Sequence, residues 1–271
     1  IANGGGDVGA VTYTVTNLVD NGLIDLDGTD RSAASGGSGI IGTEQWLNIT
    51  ANDVDVVYTI QPVGTNGCTG EEETVTLTVE PQADLTDNIT NTVCSGVNSA
   101  ITLSIANGGG DVGAVTYTVT NLVDNGLTDL DGTDRSAASG GSGLISTEQW
   151  LNTTSNDVDV VYTIQPIGAN GCTGAEETVT LTVEPQADLT DNITNTVCSR
   201  SNSAITLSIA NGGGDVGAVT YTVTNLNDNG LTDLDGTDRS AASGGAGLIS
   251  TEQWLNTTAN NVDVVYTIQP V

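Results

Sequence analysis

The chain has 271 residues, of which 34 are acidic and 4 basic, giving a formal net charge of −30 with neither lysine nor histidine. A surface of that charge repels nucleic acid and anionic membranes, and the missing His and Lys remove the commonest general bases and nucleophiles. Disorder is excluded too, because 37% of the residues are apolar and they fall in regular alternation.

The chain opens on Ile-Ala-Asn-Gly-Gly-Gly-Asp, which returns from Ile105 to Asp111 and again from Ile209 to Asp215, a period of 104 residues. VTYTVTNL, DLDGTDRSAASGG, TEQWLN and VDVVYTIQP each occur three times. A period of roughly 20–50 residues would mean a solenoid, whereas about 100 residues is the size of a self-sufficient domain. The expected units are therefore residues 1–80, 81–184 and 185–271. The first begins where the middle copy reads Ile105, and the third stops at Val271, the counterpart of Ile167. Both outer units are expected to be truncated copies from a longer protein. No apolar run reaches the roughly 18–20 residues of a membrane span, so no membrane insertion of this segment is expected.

Within the middle unit, strands are expected in order at Ile89–Cys94, Ile101–Ile105, Val115–Val119, Leu144–Leu151, Asp157–Pro166 and Thr178–Val183. Val115, Tyr117 and Val119 alternate with threonines, as do Val179, Leu181 and Val183, which marks half-buried strands with a Thr-rich outer face. Gly-, Asp- and Asn-rich runs separate these segments, and no stretch holds a helical period. About seven strands in about 100 residues is the pattern of an all-β, immunoglobulin-like sandwich. An odd strand count brings the chain in at one pole and out at the other, so copies string end to end. The linkers are short, each with one proline, Pro81 or Pro185, and are expected to be semi-stiff.

Between these strands lie the polar candidates. Asn107 to Asp111 (NGGGD) lacks the following helix and lysine of a phosphate cradle, so it reads as a turn. Asp129, Asp131 and Asp134 form the densest acidic cluster, with copies at Asp25, Asp27, Asp30 and at Asp233, Asp235, Asp238. Two readings stand. Alternating carboxylates around a glycine suit a hard cation such as Ca²⁺, although the order is not that of an EF-hand loop. Alternatively Arg135, next to the cluster, neutralises it in a polar loop. At the junctions two readings also stand for Asp84 and Asp87: a second acidic grouping with loops of the preceding unit, or plain turn formers. Trp150, the unit's only tryptophan, reads as a core anchor, with an exposed sugar-stacking platform as the alternative. Tyr162 is expected to tie its hydroxyl to backbone.

The cysteines fall at Cys68, Cys94, Cys172 and Cys198. The simplest account is one cystine per unit, Cys94 to Cys172, closing the domain from near its start to near its end. In the chain-entropy model such a loop contributes about 4–5 kcal/mol, and it would require an oxidising compartment. Reduced buried thiols are the alternative. Five N-x-T sequons, at Asn48, Asn88, Asn152, Asn192 and Asn256, fit a composition rich in Thr and Asn.

The order VC…ITLS…VTYTV…WLNTT…VVYTIQP…GCTG…ETVTLTVEP resembles the PKD-like, immunoglobulin-like repeats of giant cell-surface adhesins of Bacteroidota, among them the gliding-motility adhesin of flavobacteria. The resemblance covers the whole chain, one unit after another, without the WDFGDG-type loop of typical PKD domains. It implies export by the type IX secretion route and display on the cell surface, and it supplies no catalytic residues and no cofactor. The expectation is a non-enzymatic spacer of an extracellular adhesin or filament, acting in surface adhesion or gliding motility. Its partners would be neighbouring repeats of the same chain, and beyond them other filaments or surface polysaccharide. The rival readings are repeats that themselves grip carbohydrate or a surface, and a self-assembling filament or surface-layer subunit.

Overall fold

The computed structural model describes residues 9–133, 135–237 and 239–271. Apart from two three-residue 3-10 turns, Gly110–Val112 and Gly214–Val216, every regular element among them is a strand. The first unit contributes β1 (Val11–Val19), β2 (Ile24–Asp25), β3 (Ser35–Gly36), β4 (Trp46–Leu47), β5 (Val54–Gly64) and β6 (Glu73–Val79). The middle unit contributes β7 (Thr90–Cys94), β8 (Thr116–Val123), β9 (Thr128–Asp129), β10 (Ser139–Gly140), β11 (Trp150–Leu151), β12 (Val158–Ile167) and β13 (Glu177–Glu184). The third contributes β14 (Tyr221–Asn227), β15 (Thr232–Asp233), β16 (Ser243–Gly244), β17 (Trp254–Leu255) and β18 (Val265–Pro270). The molecule is thus a tandem series of immunoglobulin-like β-sandwiches.

In the middle unit the larger sheet has the order β10-β8-β12-β13-β7, and a two-stranded β11-β9 pairing belongs to the opposite layer. β12 and β13 form an antiparallel hairpin from Val158↔Val183 to Ile164↔Glu177. β7 adds to the far edge in parallel, from Thr90↔Thr180 to Cys94↔Glu184. Period-two alternation decides which side chains enter the core. Val160, Tyr162 and Ile164 of β12 are fully buried, as are Leu181 and Val183 of β13, while the intervening residues face outward. A bulge at Thr120 shifts the β8–β12 register, so that Val119 faces Ile164 but Asn121 faces Thr163.

The opposing layer departs from the sequence expectation in two places. Ile101 to Ile105 alternates as expected, with Ile101 and Leu103 buried, but it is not a ladder strand. Its backbone is claimed instead by the facing loop: Ser99 N donates to Glu148 O, Ala100 N to Ser146 O and Leu103 N to Ser142 O. The segment Leu144–Leu151 is strand only at β11. Before it, Leu144, Ser146 and Glu148 each donate to the carbonyl three residues back, and this tight winding turns the adjacent Leu144 and Ile145 both inward. Together these irregular segments close the core with Leu85, Leu127 and Trp150.

Candidate functional site: the clasp between units

The NGGGD turn is more than a connection between strands. Asn107 Nδ2 donates to Gln82 O (2.6 Å), Thr50 O (2.9 Å) and Ile49 O (3.2 Å), so one side chain ties the linker to the preceding unit. Asp111 N donates to Ala51 O (2.9 Å), and Asp111 Oδ2 accepts from Asp53 N (2.9 Å). Gln82 N completes the contact by donating to Asn48 O at 2.9 Å. One period later the arrangement recurs. Asn211 Nδ2 reaches Gln186 O (2.7 Å), Thr154 O (2.9 Å) and Thr153 O (3.3 Å), and Asp215 Oδ2 accepts from Asp157 N at 2.9 Å. The glycines are required by closeness. Gly110 and Gly214 both hold positive φ, and a methyl on either would overlap the carbonyl oxygen of Ala51 or Ser155.

The receiving loop is built with equal care. Asn152 is fully buried; its Nδ2 donates to Val183 O (2.7 Å) and Asn156 O (2.9 Å), and its Oδ1 accepts from Thr154 N and Oγ1. Asn48 plays the same part in the first unit with Val79 O and Asn52 O. Two of the five sequons are therefore internal braces, their amides committed to backbone carbonyls. The junction is acidic: Asp84 N donates to Asn107 Oδ1 at 2.9 Å, and further carboxylates stand on both sides of it. Asp53 is pushed up by burial and then by the charges of Asp111, Glu80 and Asp55. Asp157 is raised likewise, by burial and then by Asp215, Glu184 and Asp159.

The DLDGTDR loop lies elsewhere on the unit. Asp129 Oδ1 accepts from Asp131 N (3.0 Å) and Gly132 N (3.1 Å), and Asp131 Oδ1 accepts from Thr133 N at 2.7 Å. In the outer units Asp25 and Asp233 do the same for Asp27 and Asp235. Asp27 also pairs with Arg31 (3.4 Å) and Asp235 with Arg239 (3.9 Å), the Asp–Arg arrangement of the second reading. Asp30 turns away to accept from Ser32 N. Asp134 and Asp238 lie outside the described residues. Among the described residues no three carboxylates or thiols converge on a metal-sized space.

What sequence reasoning missed here is Glu148, from TEQWLN. It is 1% exposed, and its Oε1 lies 2.6 Å from Arg135 Nε; Glu44 with Arg31 and Glu252 with Arg239 repeat the pair at the same distance. Burial pushes the Glu148 carboxyl up to about 7, Arg135 pulling it down and Asp131 pushing it further up. Asp131 is held below the usual carboxylate range: burial raises it, but the Thr133 N–H, Glu148 and Arg135 outweigh that. An acidic residue inside an apolar repeat segment is the one signal that could have found Glu148.

Trp150 is 4% exposed, and its Nε1 donates to Tyr162 Oη at 3.0 Å. The ring is a core anchor and not a stacking platform. The Tyr162 hydroxyl is bound by that indole, not by backbone as expected.

The topology does not bring the expected pair, Cys94 and Cys172, together. No bond joins any two of the four cysteines in this structure. Because β7 runs parallel to β13, Cys94 lies beside Glu184 at the end of β13, whereas Cys172 lies in the hairpin before β13 begins. The length of β13, roughly 20 Å at 3.3 Å per residue, separates them, about three times the Cα–Cα reach of a disulfide.

The family model described as PKD-like domain matches residues 29–83 and 129–187, the same segment in two successive units. No characterised protein sequence matches the chain significantly. Among solved structures, Drosophila N-cadherin EC1-3 is similar at 12% identity, covering 93% of this chain and 78% of that one with a TM-score of 0.25. The FN1-FN3 domains of chicken CNTN1 are 11% identical over 98% of this chain and 91% of theirs, TM-score 0.25. A SusE-like surface located polysaccharide binding protein from the Bacteroides thetaiotaomicron heparin utilisation locus is 12% identical over 93% of this chain and 41% of its own, TM-score 0.25.

Proposed function

We propose that the chain is a spacer: units 1–80, 81–184 and 185–271 are successive repeats of a long extracellular stalk, part of a cell-surface adhesin or filament used in surface adhesion or gliding. The observation that carries this reading is the clasp. The same asparagine, aspartate and glycine make the same contacts at both junctions, so the angle between neighbours is written into every unit. A repeated, fixed angle is what a spacer needs and what an independent binding module does not. Burial of Trp150 takes one aromatic ring away from the carbohydrate-gripping reading, which retains the exposed Thr and Asn. A dense negative surface keeps such copies soluble and apart, although screening at physiological salt limits it to about 8 Å. The resemblance of the repeats supports export by the type IX route and an extracellular position for the stalk. No catalysis is assigned, since the chain has no His or Lys and its strongly raised carboxyls, Glu148 and Glu252, are closed off inside the fold.

Small-angle scattering of the chain tests the reading. A compact globule of this length would have a radius of gyration of about 18–19 Å; the stalk should exceed that by a third or more. Asn107→Ala combined with Asn211→Ala should leave each sandwich folded but broaden the distribution of interunit angles. A compact wild-type particle, or angles unchanged in the double variant, would refute the proposal.

A further inference from the structure

We propose that successive complete units are stapled to each other by a disulfide, joining the cysteine that ends β7 in one unit to the cysteine of the GCTG hairpin in the next. Cys94 Sγ lies 3.3 Å from Glu184 Oε2, on the last residue of its own unit. Cys172 Sγ lies 3.6 Å from Glu80 Oε2, on the last residue of the preceding unit. Glu80 and Glu184 are the same residue one period apart. When one junction is laid on the other, both thiols reach the same carboxylate oxygen and stand within about 7 Å of each other, a gap that rotation about two Cα–Cβ bonds can close.

A separate observation places the hairpin there. The GCTG hairpin of the middle unit covers the linker: Asn170 Nδ2 donates to Pro81 O at 2.9 Å, and a methyl on Gly174 would overlap the Ala83 carbonyl. Pro81 and Ala83 are buried beneath it. Their copies Pro185 and Ala187 are only half-buried, and the third copy stops at Val271, before its own GCTG. A GCTG hairpin therefore fits over Pro185 to Ala187, and its cysteine would then fall on Glu184 beside Cys94. Inside one unit no such partner exists, because β13 holds Cys94 and Cys172 apart.

The oxidant is a disulfide, either a small molecule or an exported thiol–disulfide oxidoreductase. One cysteine thiolate attacks it, forming a mixed disulfide and releasing one thiolate of the oxidant. The second cysteine thiolate attacks the protein sulfur of that mixed disulfide and releases the other. Two protons leave the cysteines, and two electrons pass to the oxidant. The glutamate that gathers the thiols also slows them. Cys94 is raised by its bond to Glu184 and then by burial, and Cys172 by burial and then by Glu80. Closure should accelerate as pH rises toward the thiol range.

The inference takes from the spacer reading only the premise that complete units follow one another. Thiol counts read the bond and scattering reads the shape, so either can fail alone. In a glutathione redox buffer at low protein concentration, the 271-residue chain should keep all four thiols free; a bond within the middle unit would leave two. The chain is then lengthened after Val271 by the seventeen residues that follow Ile167 in the middle copy, which restores the third unit's GCTG. Non-reducing peptide mapping should find one disulfide, from Cys94 to the added cysteine, with Cys68, Cys172 and Cys198 free. The same extension carrying serine for its cysteine, and Cys94→Ser in the extended chain, should each leave every remaining thiol free while retaining the native strand spectrum. Five free thiols in a folded, oxidised extended chain would overturn the proposal, as would a bond from the added cysteine to Cys198.

Discussion

β6 and β13 carry the same seven residues, Glu-Thr-Val-Thr-Leu-Thr-Val, and pair with β5 and β12 in the same register, yet their burial differs sharply. Val75 and Leu77 are each 42% exposed, whereas Val179 and Leu181 are 1% and 0% exposed. The hairpin is the same in both; the difference is what lies across from it. Over β13 stand β7 and the segment from Leu85 to Leu103, and the first unit has no described counterpart of either. The ladder is thus a local property of a threonine–valine alternation. The core is a property of a whole unit, whose first quarter acts as its lid. The same contrast separates Asn152, fully buried under the next unit's clasp, from Asn256, whose amide bonds are exposed.

The largest effect should come from truncating the shared leucine. Leu181→Ala should destabilise the middle unit by about 3 kcal/mol, within the roughly 2–5 kcal/mol range of core deletions, and Leu77→Ala by less than about 1. Amide exchange of β12–β13 against β5–β6 reads the two units separately, and equal losses would break the comparison. Next in size, Asn152→Ala strips the Val183 and Asn156 carbonyls of a buried donor and should cost about 2 kcal/mol, with Asn256→Ala below about 1. Denaturant titration of each variant decides this, and a reversed order would mean the junction does not bury Asn152 in solution.

The smallest effect concerns pH. Glu148 has a folded pKa near 7, above the ordinary 4.5, so the folded unit binds its proton more tightly than the unfolded chain does. Its stabilising contribution is complete below about pH 4.5 and is lost as pH rises toward 7. The middle unit should therefore lose stability between pH 5 and 7 through this group, and Glu148→Gln should flatten that slope. Glu44, raised mainly by burial as well, gives the first-unit counterpart; a slope carried by Glu44 alone would place the closed site in the wrong unit.

Much of the fold was legible because β12 and β13 alternate strictly and β8 does so as far as its bulge, and alternation in β-branched residues has one structural meaning. Ile101 to Ile105 alternates as well, and there the pattern correctly named the inward residues, but side-chain period does not say which groups take up the backbone hydrogen bonds. The distance between Cys94 and Cys172 was hidden for a related reason. Position along the chain puts Cys94 near the beginning and Cys172 near the end of a unit, while the parallel seating of β7 reverses which pole each occupies. The clasp was hidden because Asn107 and Asp111 act across a boundary, and a turn read alone carries no trace of what it touches. Glu148 was hidden because burial of a charge depends on Arg135, thirteen residues away.

The parallel seating of β7 against β13 also determines how a unit behaves under tension. The chain enters at Pro81, by the GCTG hairpin, and leaves after Glu184, at the opposite pole. A pull on the two ends drags β7 and β13 in opposite directions along their common axis. The register pairs from Thr90–Thr180 to Cys94–Glu184 are then loaded in shear, all at once, and do not peel from one end like a zipper. Rupture requires the ladder to fail together, so the lifetime of a unit under force is governed by a single barrier to unfolding. The order of strands in one sheet thereby makes each repeat a stiff link with an abrupt breaking point.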